Sequence, residues 1–348
     1  MRRIGTITAV VCLALSIQAS AQRHWQADIG AGFMAPTDFS NMDYSRSCAS
    51  IELSWWQRPE AMADINTTLG VKFSFAAIPN SVAGQRIGVL GALRAPISRR
   101  CSRLEYEFGL GLSAFTRPYC YTGDPENIFI GPLINGLVDF RLIYDISETM
   151  QLSLALVHTS NGCLYLPNKG FNFFQLDWGI KFGGDCRYPL QQQPSATLLK
   201  SPHEVGFTLS PGLRESEYNP LDEYAFCYDV SLNYQYYTSS RFAVGVTLDF
   251  WYNFFDSRIC QQDGRPVPTP VNIAVMAFME KHWGPISLKA GIGPEIYTHG
   301  LTKIPYYERL GCYYNFGPHY VGLAVNAHAV KAEFVEWSYG YRFTIPSK

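Results

Sequence analysis

The chain has 348 residues, with 28 Lys and Arg against 29 Asp and Glu, and a formal net charge of −1. Charged residues make up only 16% of it and aromatic ones 15%, a balance without the basic footprint of a nucleic-acid binder, so no nucleic-acid partner is expected. Past the amino terminus no apolar run reaches the ~18 residues that a membrane helix needs, which leaves any membrane role to strands.

The first element is a leader. Arg2 and Arg3 precede an apolar stretch from Ile7 to Ile17, which ends in Ala19-Ser20-Ala21. This predicts a signal peptide over residues 1–21, cleaved before Gln22, and hence export. Cys12 falls in the leader. The other cysteines (Cys48, Cys101, Cys120, Cys163, Cys186, Cys227, Cys260 and Cys312) fit either disulfides or free thiols, since that number allows about a hundred pairings. They have no C-x-x-C spacing and no zinc-ligand pattern with histidine, so neither metal nor other cofactor is expected.

Strand patterns follow in series. Leu104, Tyr106, Phe108, Leu110 and Leu112 alternate with Glu105, Glu107, Gly109 and Gly111. Farther on, Leu152, Leu154, Leu156, His158 and Ser160 oppose Ser153, Ala155 and Val157, and then Asn172, Phe174, Leu176, Trp178, Ile180 and Phe182 oppose Phe173, Gln175, Asp177, Gly179 and Lys181. Later, Tyr228 to Tyr236 and Val244 to Tyr252 repeat the period of two. Alternating segments of about ten residues between turn-forming residues are the mark of a transmembrane barrel, with the apolar set toward lipid. Glu105 and Glu107 are then expected as solvated groups of the lumen, with Lys181 and Arg342 balancing charge there.

Between residues 185 and 202, the Pro189, Gln191-Gln192-Gln193, Pro194 and Pro202 stretch breaks the period and reads as a linker. About eight strand segments lie on either side of it. Each half closes alike, on Gly179-Ile180-Lys181-Phe182 and on Gly340-Tyr341-Arg342-Phe343. The expected fold is all-β and antiparallel: two tandem eight-stranded transmembrane barrels over 22–184 and 203–348, with one barrel of about sixteen strands as the alternative.

The parity of residues 150–182 carries the chemistry. His158 and Ser160 share the lipid-facing side of one strand, with α-carbons ~6.6 Å apart, and Asn172 faces the same way on the next strand. A serine hydroxyl becomes a useful nucleophile once a base takes its proton and a third group orients that base. If the chain enters the first barrel from the periplasm, this group sits at the extracellular rim, where lipid A of the outer leaflet is the candidate substrate. In the second half, His328 has the opposite parity and lacks such a serine, so it reads as an interior histidine of a non-catalytic barrel.

The stretch His158-Thr159-Ser160-Asn161, followed by Pro167-Asn168, resembles the signature of the lipid A 3-O-deacylase (acyloxyacyl hydrolase) family. The resemblance is specific over residues 158–182. It implies an outer-membrane barrel of a Gram-negative bacterium and a carboxylic ester hydrolase that removes an ester-linked acyl chain from lipid A in lipopolysaccharide. By motif position it implies Ser160 as nucleophile, His158 as general base and Asn161 in the oxyanion hole. Asn172 stands where the family pattern has a glutamate, and Asp177, of opposite parity, is not placed to replace it. The rival reading is a non-enzymatic barrel, a channel or surface protein carrying a relic motif.

Overall fold

A computed structural model describes residues 23–35, 47–59, 62, 66–79, 82–98, 101–120, 122–123, 126–183, 202–215, 224–298, 304–329 and 331–346. The expected signal peptide, Cys186 and all of the linker except Pro202 lie outside the described residues.

The first eight strands are β1 (Arg23–Ala35), β2 (Ser47–Gln57), β3 (Thr68–Ala77), β4 (Arg86–Ser98), β5 (Cys101–Phe115), β6 (Ile134–Asp145), β7 (Met150–Ser160) and β8 (Phe171–Phe182). The next eight are β9 (His203–Glu215), β10 (Tyr224–Ser239), β11 (Phe242–Asn253), β12 (Val271–Trp283), β13 (Ile286–Tyr297), β14 (Tyr306–Phe316), β15 (His319–His328) and β16 (Lys331–Thr344). A helix, α1 (Phe254–Gln262), follows β11, and Asn253 caps it by accepting from the Phe255 N–H.

Each set of eight closes on itself. In the first barrel β1 pairs with β8, and in the second β9 pairs with β16. The tandem arrangement therefore holds, and the sixteen-stranded alternative does not. Closure leaves no unpaired edge, the condition for crossing a bilayer with strands. The outward positions carry Ile29, Ile51, Phe73, Leu154 and Leu176, and in the second barrel Phe226, Leu232, Met279 and Trp337, all exposed in the isolated chain. On a soluble protein so much apolar surface would be costly; against hydrocarbon it is the favourable face.

The lumens are packed. An eight-stranded barrel has an interior just wide enough for side chains. In the first barrel Lys72 meets Glu52 (3.2 Å), Glu107 (2.5 Å) and Asp139 (2.9 Å), and Arg141 meets Glu52 (2.6 Å), Asp139 (2.9 Å) and Asp177 (2.6 Å). Glu107 is thus not the solvated group its sequence suggests: it is fully buried in this network, because the lumen has no room for bulk water. Toward the end of the barrel that carries the β7–β8 loop the network gives way to an apolar plug containing Met34, Ile78, Phe115, Phe129, Ile130, Phe171 and Phe173. In the second barrel, Arg309 reaches Asp229 (2.6 Å) and Asp249 (3.1 Å), and Arg342 reaches Glu280 (2.7 Å). Lys181 pairs with Asp145 at 2.7 Å. His328 is buried between Glu295 and Glu333 at 3.2 Å from each. The cysteines among the described residues are thiols rather than disulfide-bonded.

The barrels touch at both ends. Near the ends opposite the plug, the Trp283 indole N–H donates to the Tyr106 hydroxyl at 2.8 Å. At the other end, the loop after β7 meets β9 and β16.

Candidate active site

Along β7, Gln151, Ser153, Ala155, Val157 and Thr159 are buried in the lumen, which turns His158 and Ser160 outward with Leu154 and Leu156. On β8 the two residues around Asn172 fix its direction. Phe171 and Phe173 are wholly buried in the plug, and the Phe171 ring stacks on Phe129 at 4.9 Å. Asn172 between them must therefore face out. All three site residues are half-buried.

Register then brings them together. β7 and β8 pair with His158 directly opposite Asn172, and β6 and β7 pair with Gly136 opposite Ser160. Directly opposed side chains are near neighbours on a sheet. His158 Nδ1 lies 2.8 Å from Asn172 Oδ1, and His158 Nε2 lies 3.0 Å from Ser160 Oγ. An amide oxygen only accepts, so Nδ1 carries the ring proton and donates it to Asn172. The Nε2 lone pair is then free to accept the hydroxyl proton of Ser160. Opposite the serine, Gly136 presents no side chain.

The loop of residues 161–170 folds back beside the pair. The Asn161 backbone N–H donates to Asn168 Oδ1 at 2.8 Å; its Nδ2 donates to the Tyr165 carbonyl at 2.8 Å, and its Oδ1 accepts the Tyr165 N–H at 3.2 Å. Through both ends of its side-chain amide Asn161 thus organises the loop. The loop returns to the barrel through Gly170, whose N–H donates to the Phe129 carbonyl at 3.0 Å. Gly170 has φ +67, and a Cβ there would lie 3.1 Å from Ser160 Cβ and 3.3 Å from His158 Cε1. Both the left-handed backbone and the space require glycine.

His158, Ser160 and Asn172 thus converge, whereas the Asn161 side chain bonds to Tyr165 of its own loop and Asp177 points inward onto Arg141. Gly136 and Gly170 are the site residues that sequence reading passes over. A glycine in a strand or hairpin loop is too common to mark a site, and their roles depend on contacts across the sheet. Running down the barrel from His158, Leu154, Leu156, Phe174 and Leu176 form an exposed apolar lane.

The family model described as lipid A 3-O-deacylase (PagL) matches residues 49–181, and the one described as acyloxyacyl hydrolase, C-terminal domain, matches residues 203–345. Each match falls within one barrel. Among solved structures, the crystal structure of the outer membrane enzyme PagL is 16% identical, with 44% of this chain and 98% of that one covered, at a TM-score of 0.31. A mutant Rh. blastica porin is 10% identical over 93% of this chain and 100% of its own, at a TM-score of 0.20. A bacterial polysaccharide outer membrane secretin is 12% identical over 94% and 100%, at a TM-score of 0.24. No curated protein matches the sequence.

Proposed function

Because this chain belongs to the lipid A 3-O-deacylase family, and carries that family's acyloxyacyl hydrolase C-terminal domain as its second barrel, we propose that it is an outer-membrane serine esterase. Its substrate is an ester-linked acyl chain of lipid A, met at the outer rim of the first barrel. The reading rests above all on one observation, the hydrogen-bonded series Asn172–His158–Ser160 on the lipid-facing wall.

Asn172 holds the imidazole in the tautomer with its proton on Nδ1. His158 Nε2 takes the proton of Ser160 Oγ as that oxygen attacks the acyl carbonyl. The carbonyl oxygen, now negative, is met by the Asn161 side-chain amide together with backbone N–H groups of the loop. The imidazolium returns its proton to the departing sugar oxygen, and the acyl chain stays on Ser160. Water, deprotonated by the same histidine, then releases the fatty acid. No step calls on a metal or cofactor. The apolar lane of Leu154, Leu156, Phe174 and Leu176 follows β7 and β8 down the lipid-facing wall, so an acyl chain can lie against it in lipid while the scissile ester reaches Ser160. The signal peptide over residues 1–21 delivers the chain to this membrane, and the second barrel is non-catalytic. A channel would need an open lumen, whereas both lumens are filled by ion pairs and aromatic rings among the described residues.

The test is the mass of lipid A from Gram-negative cells that express the wild type or Ser160→Ala. The wild type should remove one acyl mass and Ser160→Ala none. Full acylation in cells with folded wild-type protein overturns the proposal.

A further inference from the structure

The loop that carries Asn161 does not depend on its own barrel alone. The Glu215 N–H, at the end of β9, donates to the Cys163 carbonyl at 3.0 Å. The Glu215 carboxylate accepts the backbone N–H of Leu166. The Cys163 thiol donates to the Ala332 carbonyl on β16 at 3.1 Å. Gly162, at φ +63, packs so closely on β16 that a Cβ there would overlap Val335. These contacts come from the two strands that close the second barrel, and they grip the loop between Ser160 and Asn172. On the other side, Lys169 and Gly170 hold it to the first barrel through the Ile128 and Phe129 carbonyls, at 3.4 and 3.0 Å.

We propose that the second barrel is a buttress that sets the oxyanion side of the Ser160 site, with Glu215 as its positioning residue. This rests on the esterase reading above and deepens it. Glu215 contacts the backbone of the loop. It acts through Leu166 and Cys163, which bracket Tyr165, and Tyr165 in turn holds both the carbonyl and amide ends of the Asn161 side chain. A loop of ten residues closed only at its ends samples many conformers, whereas a buried carboxylate on a rigid strand fixes the middle of it. The Trp283–Tyr106 hydrogen bond at the far end keeps the second barrel from swinging away. Oxyanion donors are worth most when fixed in place before the reaction, so a donor shifted by about 1 Å can cost on the order of 10²-fold in rate.

The experiment uses the full-length protein, refolded in detergent, in a background with Cys12, Cys101, Cys120, Cys186 and Cys312 replaced by serine, which leaves Cys163 with only the buried thiols of the described residues beside it. Glu215→Ala and Glu215→Gln are compared with the parent in kcat and KM on lipid A micelles, and in maleimide labelling of Cys163. Resistance to unfolding in cold SDS verifies both barrels. Glu215→Ala is expected to expose Cys163 and to lower kcat by about 10- to 100-fold with KM little changed. Glu215→Gln, which keeps an oxygen for the Leu166 N–H, should recover most of the rate and the protection. A Glu215→Ala protein with Cys163 still protected overturns the clamp, and one with Cys163 exposed but kcat unchanged overturns its role in catalysis. A parent without esterase activity removes the esterase reading, and with it the catalytic role, while the labelling still decides whether the clamp exists.

Discussion

Replacing Asn172 by aspartate tests whether the site works by orientation alone or lacks a charge it could use. The two side chains are of nearly equal size, so in Asn172→Asp a carboxylate oxygen would occupy the position now 2.8 Å from His158 Nδ1. In the transition state the imidazole becomes an imidazolium, with charge centres about 4 Å from the carboxylate. Their attraction is about 4 kcal/mol at an effective dielectric of about 20 and about 1 kcal/mol in water. For groups half-buried at a membrane rim we expect about 1–3 kcal/mol, or roughly 5- to 150-fold in kcat. Burying the carboxylate costs the same in the ground and transition states and so leaves kcat untouched. Asn172→Leu has no acceptor for Nδ1–H, lets the ring turn and change tautomer, and should lower kcat by about 10²-fold or more. The assay is fatty-acid release from lipid A micelles, followed by mass spectrometry. An aspartate variant no faster than the wild type refutes the charge reasoning. A leucine variant at the wild-type rate refutes the orienting role altogether.

Gly170→Ala places a methyl group 3.1 Å from Ser160 Cβ and strains a left-handed backbone. It should lower kcat by about tenfold and cost about 1–2 kcal/mol of stability, measured by lipid A hydrolysis and by urea unfolding in lipid vesicles. Arg141→Met removes the ion-pair partner of Asp177 and one partner each of Glu52 and Asp139, leaving buried carboxylates uncompensated. It should destabilise the first barrel by about 3–5 kcal/mol in the same unfolding assay, with the second barrel unaffected.

Particular residues mark what could be read before any coordinates. Period two alone puts His158, Ser160 and Asn172 on one face and Asp177 on the other, and the structure keeps all four where that parity sends them. The matched ends at Phe182 and Phe343 and the broken stretch between them point to two closures of eight strands, as found. Glu107 went the other way. Its alternation is that of a lumenal residue, but alternation says nothing of how wide the lumen is, and Glu107 proves to be fully buried against Lys72 and Arg94. Gly170 and Glu215 carry no local signal at all, because each matters only for what approaches it from another strand.

Side-chain direction along a strand is a local property, repeated every two residues, so the order of amino acids suffices to say which groups face lipid and which face the lumen. Contact across strands is not local. Whether His158 meets Asn172, whether Gly136 leaves Ser160 uncovered, and whether Glu215 reaches Leu166 depend on register and barrel closure, which pair residues 14 to 49 positions apart. Those meetings arise only in the folded chain, where packing of the plug and closure of each sheet select one register among several that the alternation alone would allow.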